Sequence, residues 1–236
     1  MKSAFRFKQF SISDHHCAMK LSTDAVLLGA MADFGLSSTV LDIGTGCGIL
    51  ALMAAQKSTA MIDAVELEEH AARQANQNFQ ESNWKDRIKI HHTSIREYAD
   101  TCNIKYDAII CNPPYFQGQL KSLDEIKNKA KHNTSLDFEE LSQCVVRLLS
   151  KNGLCWVIIP VSEKNNFLKI FLKSGLYCAK NIFISHKPET EPHRVVFCLS
   201  RQAPDTMESQ NMILKNQDGT PAESYIQLTK DFYLDF

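Results

Sequence analysis

The chain has 236 residues, 44% of them hydrophobic, with 26 Lys and Arg against 27 Asp and Glu and a formal net charge of −1. That length can bury one sizeable core, and the near-neutral balance excludes a general basic coat for nucleic acid, leaving local basic patches to steer a charged partner. No stretch approaches the ~20 apolar residues of a membrane span. The opening Met1-Lys2-Ser3-Ala4-Phe5 lacks the apolar segment of a signal peptide. The eight cysteines show no CxxC spacing, which argues against a zinc site or a disulfide framework and for a reducing, cytoplasmic setting.

In chain order, Phe5–Ile12 reads as strand-like and Asp24–Ala32 as a helix, ahead of an alternating core. Thr39–Ile43 is a predicted strand, followed through a glycine turn by a helix over Ile49–Gln56. Ile62–Leu67 is the second strand and Glu68–Phe79 a polar-faced helix, and Ile88–His92 and Tyr106–Cys111 are strands three and four. Leu136–Ser150 places Leu141, Val145, Leu148 and Leu149 on one helical face, and Gly153 precedes strand five at Leu154–Pro160. Glu163–Lys173 is a helix stopped by Gly175. Tyr177–Ser185 and Arg194–Ser200 are late strands with no room for a helix between them, so they are expected as antiparallel neighbours. The pattern predicts an α/β fold: a mostly parallel seven-stranded sheet with helices on both faces and an antiparallel final strand. One domain is expected over 1–236, with an N-terminal extension (1–38), a Rossmann-like core (39–200) and a C-terminal tail (201–236) that ends in a docked segment, Tyr225–Phe236.

Three motifs carry chemistry. Asp42-Ile43-Gly44-Thr45-Gly46-Cys47-Gly48 sets glycines between a strand and a helix, where the backbone can approach a ligand closely. Ile49 breaks the dinucleotide GxGxxG spacing and no Gly-Lys-Ser/Thr ending follows, so a nucleoside ligand without a pyrophosphate is favoured over a dinucleotide or a P-loop nucleotide. Glu66 ends the second strand, where a carboxylate can accept from both ribose hydroxyls; Glu68 and Glu69 read instead as solvated charges at a helix start. Asn112-Pro113-Pro114-Tyr115 stops the fourth strand, since proline has no N–H to continue the ladder. The Asn112 amide oxygen and the Pro113 carbonyl could accept the two hydrogens of an amino group, and Tyr115 could stack on the ring that bears it.

Together these motifs resemble the S-adenosylmethionine-dependent amino methyltransferases. Phe5-Arg6-Phe7-Lys8-Gln9-Phe10, Cys17-Ala18-Met19-Lys20, Thr23-Asp24, Ala64-Val65-Glu66-Leu67, Pro192-His193-Arg194-Val195 and Phe232-Tyr233-Leu234 are similar to the tRNA(Val) adenine-N6-methyltransferases. The resemblance implies S-adenosyl-L-methionine as cofactor, with Gly44, Gly46 and Gly48 at its methionine part, Asp42 steadying the loop, Glu66 on the ribose and Ser94 and Ile95 beside the adenine. Lys20 and Thr23 would close over it from the N-terminal side, and Asn112 would face both donor and acceptor. Asn112, Pro113, Pro114 and Tyr115 would hold the target adenine at position 37 of the anticodon loop. Arg6, Lys8, Phe116, Lys121, Lys127, Lys129 and Arg194 are candidate RNA contacts. A monomer with tRNA as its partner, and with neither metal nor membrane, is the expected state.

Alternatives share parts of this pattern. Glutamine methyltransferases of release factors use the same Asn-Pro-Pro-Tyr turn on a planar amide, but carry a helical domain that 38 residues are too few to form. A ribosomal RNA base methyltransferase is a second possibility. A nucleotide-binding oxidoreductase is the third, against which Ile49 and the lack of a second nucleotide half both count.

Overall fold

The computed structural model describes residues 4–17, 19–114 and 137–236. A two-stranded hairpin opens the chain, β1 (Phe5–Arg6) and β2 (Ser11–Ile12), followed by helix α1 (Thr23–Met31). The core then runs β3 (Thr39–Ile43), α2 (Ile49–Lys57), β4 (Met61–Glu66), α3 (Glu69–Gln80), β5 (Ile88–His92), α4 (Ile95–Thr101) and β6 (Tyr106–Cys111). It continues with α5 (Phe138–Leu148), β7 (Leu149–Pro160), α6 (Lys164–Lys173), β8 (Tyr177–Ser185) and β9 (Arg194–Ser200), and closes with β10 (Glu208–Ile213) and α7 (Glu223–Thr229).

The sheet order is β10-β8-β9-β7-β6-β3-β4-β5. β5, β4, β3, β6 and β7 are mutually parallel, and β9 runs antiparallel to both β7 and β8, its neighbours. The seven strands expected from the sequence are joined by an eighth, β10, added parallel to β8 at the edge. Two-residue alternation sorts the core. Val40, Ala108 and Ile110 face α1, α2 and α3. Leu41, Ile43, Ile109 and Cys111 face α4, α5 and α6. On that second face Phe167 stacks on Phe171 and on Phe197 at 4.0 and 5.2 Å, and each ring is fully buried, a burial worth about 1.5–3 kcal/mol per side chain.

Several elements depart from the sequence expectation: Phe5–Ile12 is a hairpin rather than one strand, and Leu149 leaves the helical face for β7. β10 lies in the polar tail, and its first four residues, Glu208-Ser209-Gln210-Asn211, are exposed and show no apolar alternation to mark a strand. α4 was not anticipated, although Ser94 and Glu97 form a reciprocal capping box at its start, a signal readable as Ser-x-x-Glu. β7 begins at Leu149, five residues before the expected strand, and its pairing with β6 is irregular between Tyr106 and Ala108.

The termini pack on each other. Lys8 Nζ donates to the carbonyl oxygens of Lys230 and Phe236, both at 2.6 Å, and Lys8 N donates to Phe232 O. Phe7 stacks between Phe10 and Tyr233, at 4.7 and 5.7 Å. α1 ends without a glycine stop. The Lys57 ammonium caps it from α2, donating to the carbonyls of Gly29, Ala30 and Ala32, and burial pulls its pKa down to about 8. Lys57→Met would keep the length and leave those carbonyls unpaired. The expected result is a loss of about 1–3 kcal/mol, read as a lower urea midpoint at unchanged slope.

Candidate active site

Parallel register brings the three motifs to one edge. Ile43 pairs with Val65 on β4 and with Cys111 on β6, so Gly44, Glu66 and Asn112 emerge level with one another at the carboxyl ends of adjacent strands. Ligands of open α/β sheets bind at that edge. Glu66 pairs with His92, which brings Ser94 to the same rim.

The glycine loop needs its glycines for two different reasons. Gly44 and Gly46 adopt φ of +69° and +58°, and a Cβ on either would meet nothing within 4 Å. Their faces are therefore open toward the cleft, a cradle in which a ligand can lie against bare backbone. Gly48 has φ +90°, and a Cβ there would stand 2.4 Å from the Phe79 ring. Its smallness serves the packing of α3 on α2.

Two carboxylates hold the loop. Asp42 is fully buried on β3, and its Oδ2 accepts from Thr45 Oγ1 at 2.5 Å and from Ala51 N at 3.1 Å. Its Oδ1 is buried with no hydrogen-bond partner among the described residues. Burial raises its pKa to about 7, against the lowering effect of those two hydrogen bonds. Glu66 Oε2 accepts from Gly46 N and Oε1 from Glu68 N, each at 2.9 Å. Each oxygen keeps a further lone pair, so the carboxylate stands at the loop with accepting capacity to spare.

The N-terminal segment closes on the same loop. The Asn78 amide nitrogen donates to Ser13 O and to Cys47 O, its oxygen accepts from Ser13 N, and the Cys17 and Cys47 thiols are hydrogen-bonded. Nothing in the sequence marks Asn78 beyond a buried polar residue on an amphipathic helix. On the other side, Arg194 Nε donates to Asp24 Oδ2 at 2.7 Å, joining the start of β9 to the first turn of α1. His193, before Arg194, stacks on His186 at 3.7 Å, and burial lowers its pKa.

Of the expected site residues, Asn112 and Pro113 are buried and Pro114 is exposed, directly after β6. Ser94 caps α4, its Oγ accepting from Glu97 N, and Ile95 is buried behind it. Thr23 is exposed at the start of α1, and Lys20 turns back to donate to the carbonyls of Asp14 and His15. Arg6 is exposed, whereas Lys8 is engaged by the C-terminal tail. Tyr115, Phe116, Lys121, Lys127 and Lys129 lie outside the described residues. Among the described residues no group of His, Cys, Asp or Glu could hold a metal ion, and no helix is long and apolar enough to cross a membrane.

A family model described as "Methyltransferase small domain" matches residues 18–136. The tRNA1(Val) (adenine(37)-N6)-methyltransferase of Shewanella woodyi is 39% identical, covering 99% of this chain and 100% of that protein. The protein of the same name in Phocaeicola vulgatus is 40% identical over 98% of this chain and 97% of its own length. Among solved structures, a predicted O-methyltransferase of Agrobacterium tumefaciens superposes with a TM-score of 0.64 at 16% identity, covering 89% of this chain and 96% of that one. A ribosomal protein L11 methylase of Lactobacillus delbrueckii does so at 0.53 and 16%, covering 76% and 77%. At those identities the structures speak for the fold.

Asp42 makes the site pH-sensitive in a definite direction. Its folded pKa, about 7, lies above the ordinary 3.8. Its favourable contribution is therefore complete below pH ~4 and is lost as pH rises through ~7. Stability measured by urea unfolding at several pH values should fall over that interval relative to Asp42→Asn, which cannot ionise; parallel profiles for the two proteins would refute this.

Proposed function

We propose that this chain, which belongs to the family of tRNA1(Val) (adenine(37)-N6)-methyltransferases, transfers a methyl group to the exocyclic N6 amine of adenine 37 in the anticodon loop of a tRNA(Val). The observation that carries the reading is the emergence of Asn112-Pro113-Pro114 from β6 level with Glu66 and the open glycine loop, so that an amide clamp and a nucleoside cradle share one edge. S-adenosyl-L-methionine supplies an electrophilic methyl group when bound. The residues present fit it: Gly44 and Gly46 offer bare backbone, the Glu66 carboxylate suits a ribose, and Ser94 and Ile95 stand at the neighbouring strand end. Gly48 and Asp42 keep the loop in shape, and Lys20, Thr23 and Asn112 border the cleft. The fold acts as one unit, with the N-terminal extension as part of the cleft wall. A cytoplasmic setting accords with eight cysteines that are all free thiols, and the protein acts there as a monomer.

The N6 amine of adenine is a weak nucleophile because its lone pair is delocalised into the ring. The Asn112 Oδ1 and the Pro113 carbonyl would accept its two hydrogens and draw the nitrogen toward a pyramidal shape. The stiff Pro113-Pro114 turn fixes where those acceptors sit, and positioning of this kind is worth up to ~7–11 kcal/mol. No strong base is needed before attack, because the methylated ammonium loses its proton readily. Adenine reaches such a clamp only when unstacked, and a single-stranded loop is where unstacking costs least. Tyr115 and Phe116 would stack on it, and Arg6, Lys121, Lys127 and Lys129 are basic residues that could reach the RNA, whereas Arg194 is held by Asp24.

Two measurements test this. Offered labelled S-adenosylmethionine with unmodified tRNA(Val), ribosomal RNA or release factor in separate reactions, the protein should place N6-methyladenosine in the tRNA alone; label in protein or ribosomal RNA would overturn the assignment. Asn112→Ala should lower kcat about 10²-fold, the scale seen on removing one positioned polar group, while binding S-adenosylmethionine as the parent does in calorimetry.

A further inference from the structure

A cleft of about 370 Å³ lies between the N-terminal hairpin, the first turn of α1 and the C-terminal tail. It falls at the small end of ligand clefts, which run from roughly 300 Å³ upward. Phe5 and Tyr233 form its aromatic side, Leu21 and Val26 its aliphatic side, and the Ser22 and Thr23 hydroxyls its polar rim. Phe5 is 45% exposed, unusual for a residue otherwise surrounded by rings. It is nevertheless held in place, with its ring 4.8 Å from Phe7 and 6.1 Å edge-on from Tyr233. Tyr233 is fixed in turn by its hydroxyl bond to Tyr225 and by Phe236 at 5.7 Å. A rigid, half-open π surface beside two hydroxyls suits a flat ring with polar edges better than an aliphatic chain.

Charge and position point to the same occupant. Arg6, next to Phe5, is exposed and has no ion-pair or hydrogen-bond partner among the described residues, and the Lys20 ammonium lies on the 14–15 turn beside the cleft. Asp24, the next residue after the rim, is neutralised by Arg194. The lining residue Asp14 is joined through Ser13 and Asn78 to the glycine loop. The cleft is therefore linked to the glycine loop, with Arg6 at its margin where a phosphate backbone would run.

We infer that this cleft is a second nucleobase subsite, in which Phe5 and Tyr233 take up an unpaired base flanking the target adenine and so hold the RNA strand while that adenine enters the Asn112 turn. The inference rests on the RNA-modifying reading above. The role is binding and positioning; the reacting atoms stay at Asn112.

The test uses the full chain, a tRNA(Val) anticodon stem-loop, and 2-aminopurine substituted for the base on either side of the target adenine. Stacking of that base on the protein should quench its fluorescence. Phe5→Ala should restore the fluorescence and weaken RNA binding about tenfold or more, the loss expected for one base–aromatic stack. S-adenosylmethionine affinity should stay within twofold of the parent. Phe5→Leu keeps an apolar side chain against Phe7 and Tyr233 while removing the π face. It should melt with the parent and lose most of the same RNA affinity, and Phe5→Trp should recover it. Parental RNA affinity and quenching in Phe5→Leu would overturn the proposal, as would a loss of S-adenosylmethionine affinity, which would give the cleft to the methyl donor. Methylation of the tRNA is scored on the parent in the same samples. A parent that methylates no RNA refutes the functional assignment, whereas a methylating parent with unaffected Phe5 variants refutes the subsite alone.

Discussion

Parallel pairing of β3 with β4 on one side and β6 on the other is the constraint on which the site depends. A parallel neighbour ends at the same edge, so the glycine loop, Glu66 and the Asn112-Pro113-Pro114 turn arrive together at the carboxyl ends of three adjacent strands. A one-residue slip would exchange the faces of β3 and move Asp42 from the α2 side, where its carboxylate accepts Ala51 N, to the α4 side. The buried carboxylate thus ties sheet register to loop shape: Asp42 holds Thr45 within the loop and Ala51 within the following helix, and Glu66 holds Gly46 from the next strand.

The cost of that arrangement is concentrated in Asp42. A carboxylate with no access to water and one oxygen unpaired is destabilising in its charged form, which is why its pKa rises despite two hydrogen bonds. A protein selected for stability alone would place an apolar residue there. Its presence on β3, behind a loop whose glycines are open, leaves that loop held from behind with its front bare.

Most of the core was legible because its signals are local. Thr39–Ile43, Ile88–His92 and Tyr106–Cys111 are short apolar runs bounded by turns, and the strands begin and end where the sequence places them. The antiparallel pairing of β8 with β9 followed from a connection too short for a crossover helix. What stayed hidden depends on partners distant in the chain. β10 is recognisable only from its pairing with β8, since its own residues are polar and exposed. Lys57 shows no sign in the sequence of capping a helix that ended 26 residues earlier. Lys8 reads as an RNA contact by charge and Lys20 as a residue closing over the cofactor, but both donate to main-chain carbonyls. Arg194 is paired with Asp24 across 170 residues.

Those commitments alter how RNA recognition by this chain has to be understood. With a net charge of −1, and with Lys8, Lys20 and Arg194 engaged by the protein itself, the described surface near the cleft offers few free cations for phosphates. Phosphate contacts give affinity that salt erodes and that ignores sequence. That part of the surface suits unpaired bases, which bind by stacking and by hydrogen bonds at base edges. The aromatic residues of the two termini, Phe5, Phe7, Phe10 and Tyr233, meet beside the first turn of α1, where Asp24 and Arg194 tie the extension to the sheet. Packing the C-terminal tail under the N-terminal hairpin therefore does more than close the fold. It assembles from both ends of the chain a ring-lined surface, and sets it beside the first turn of α1.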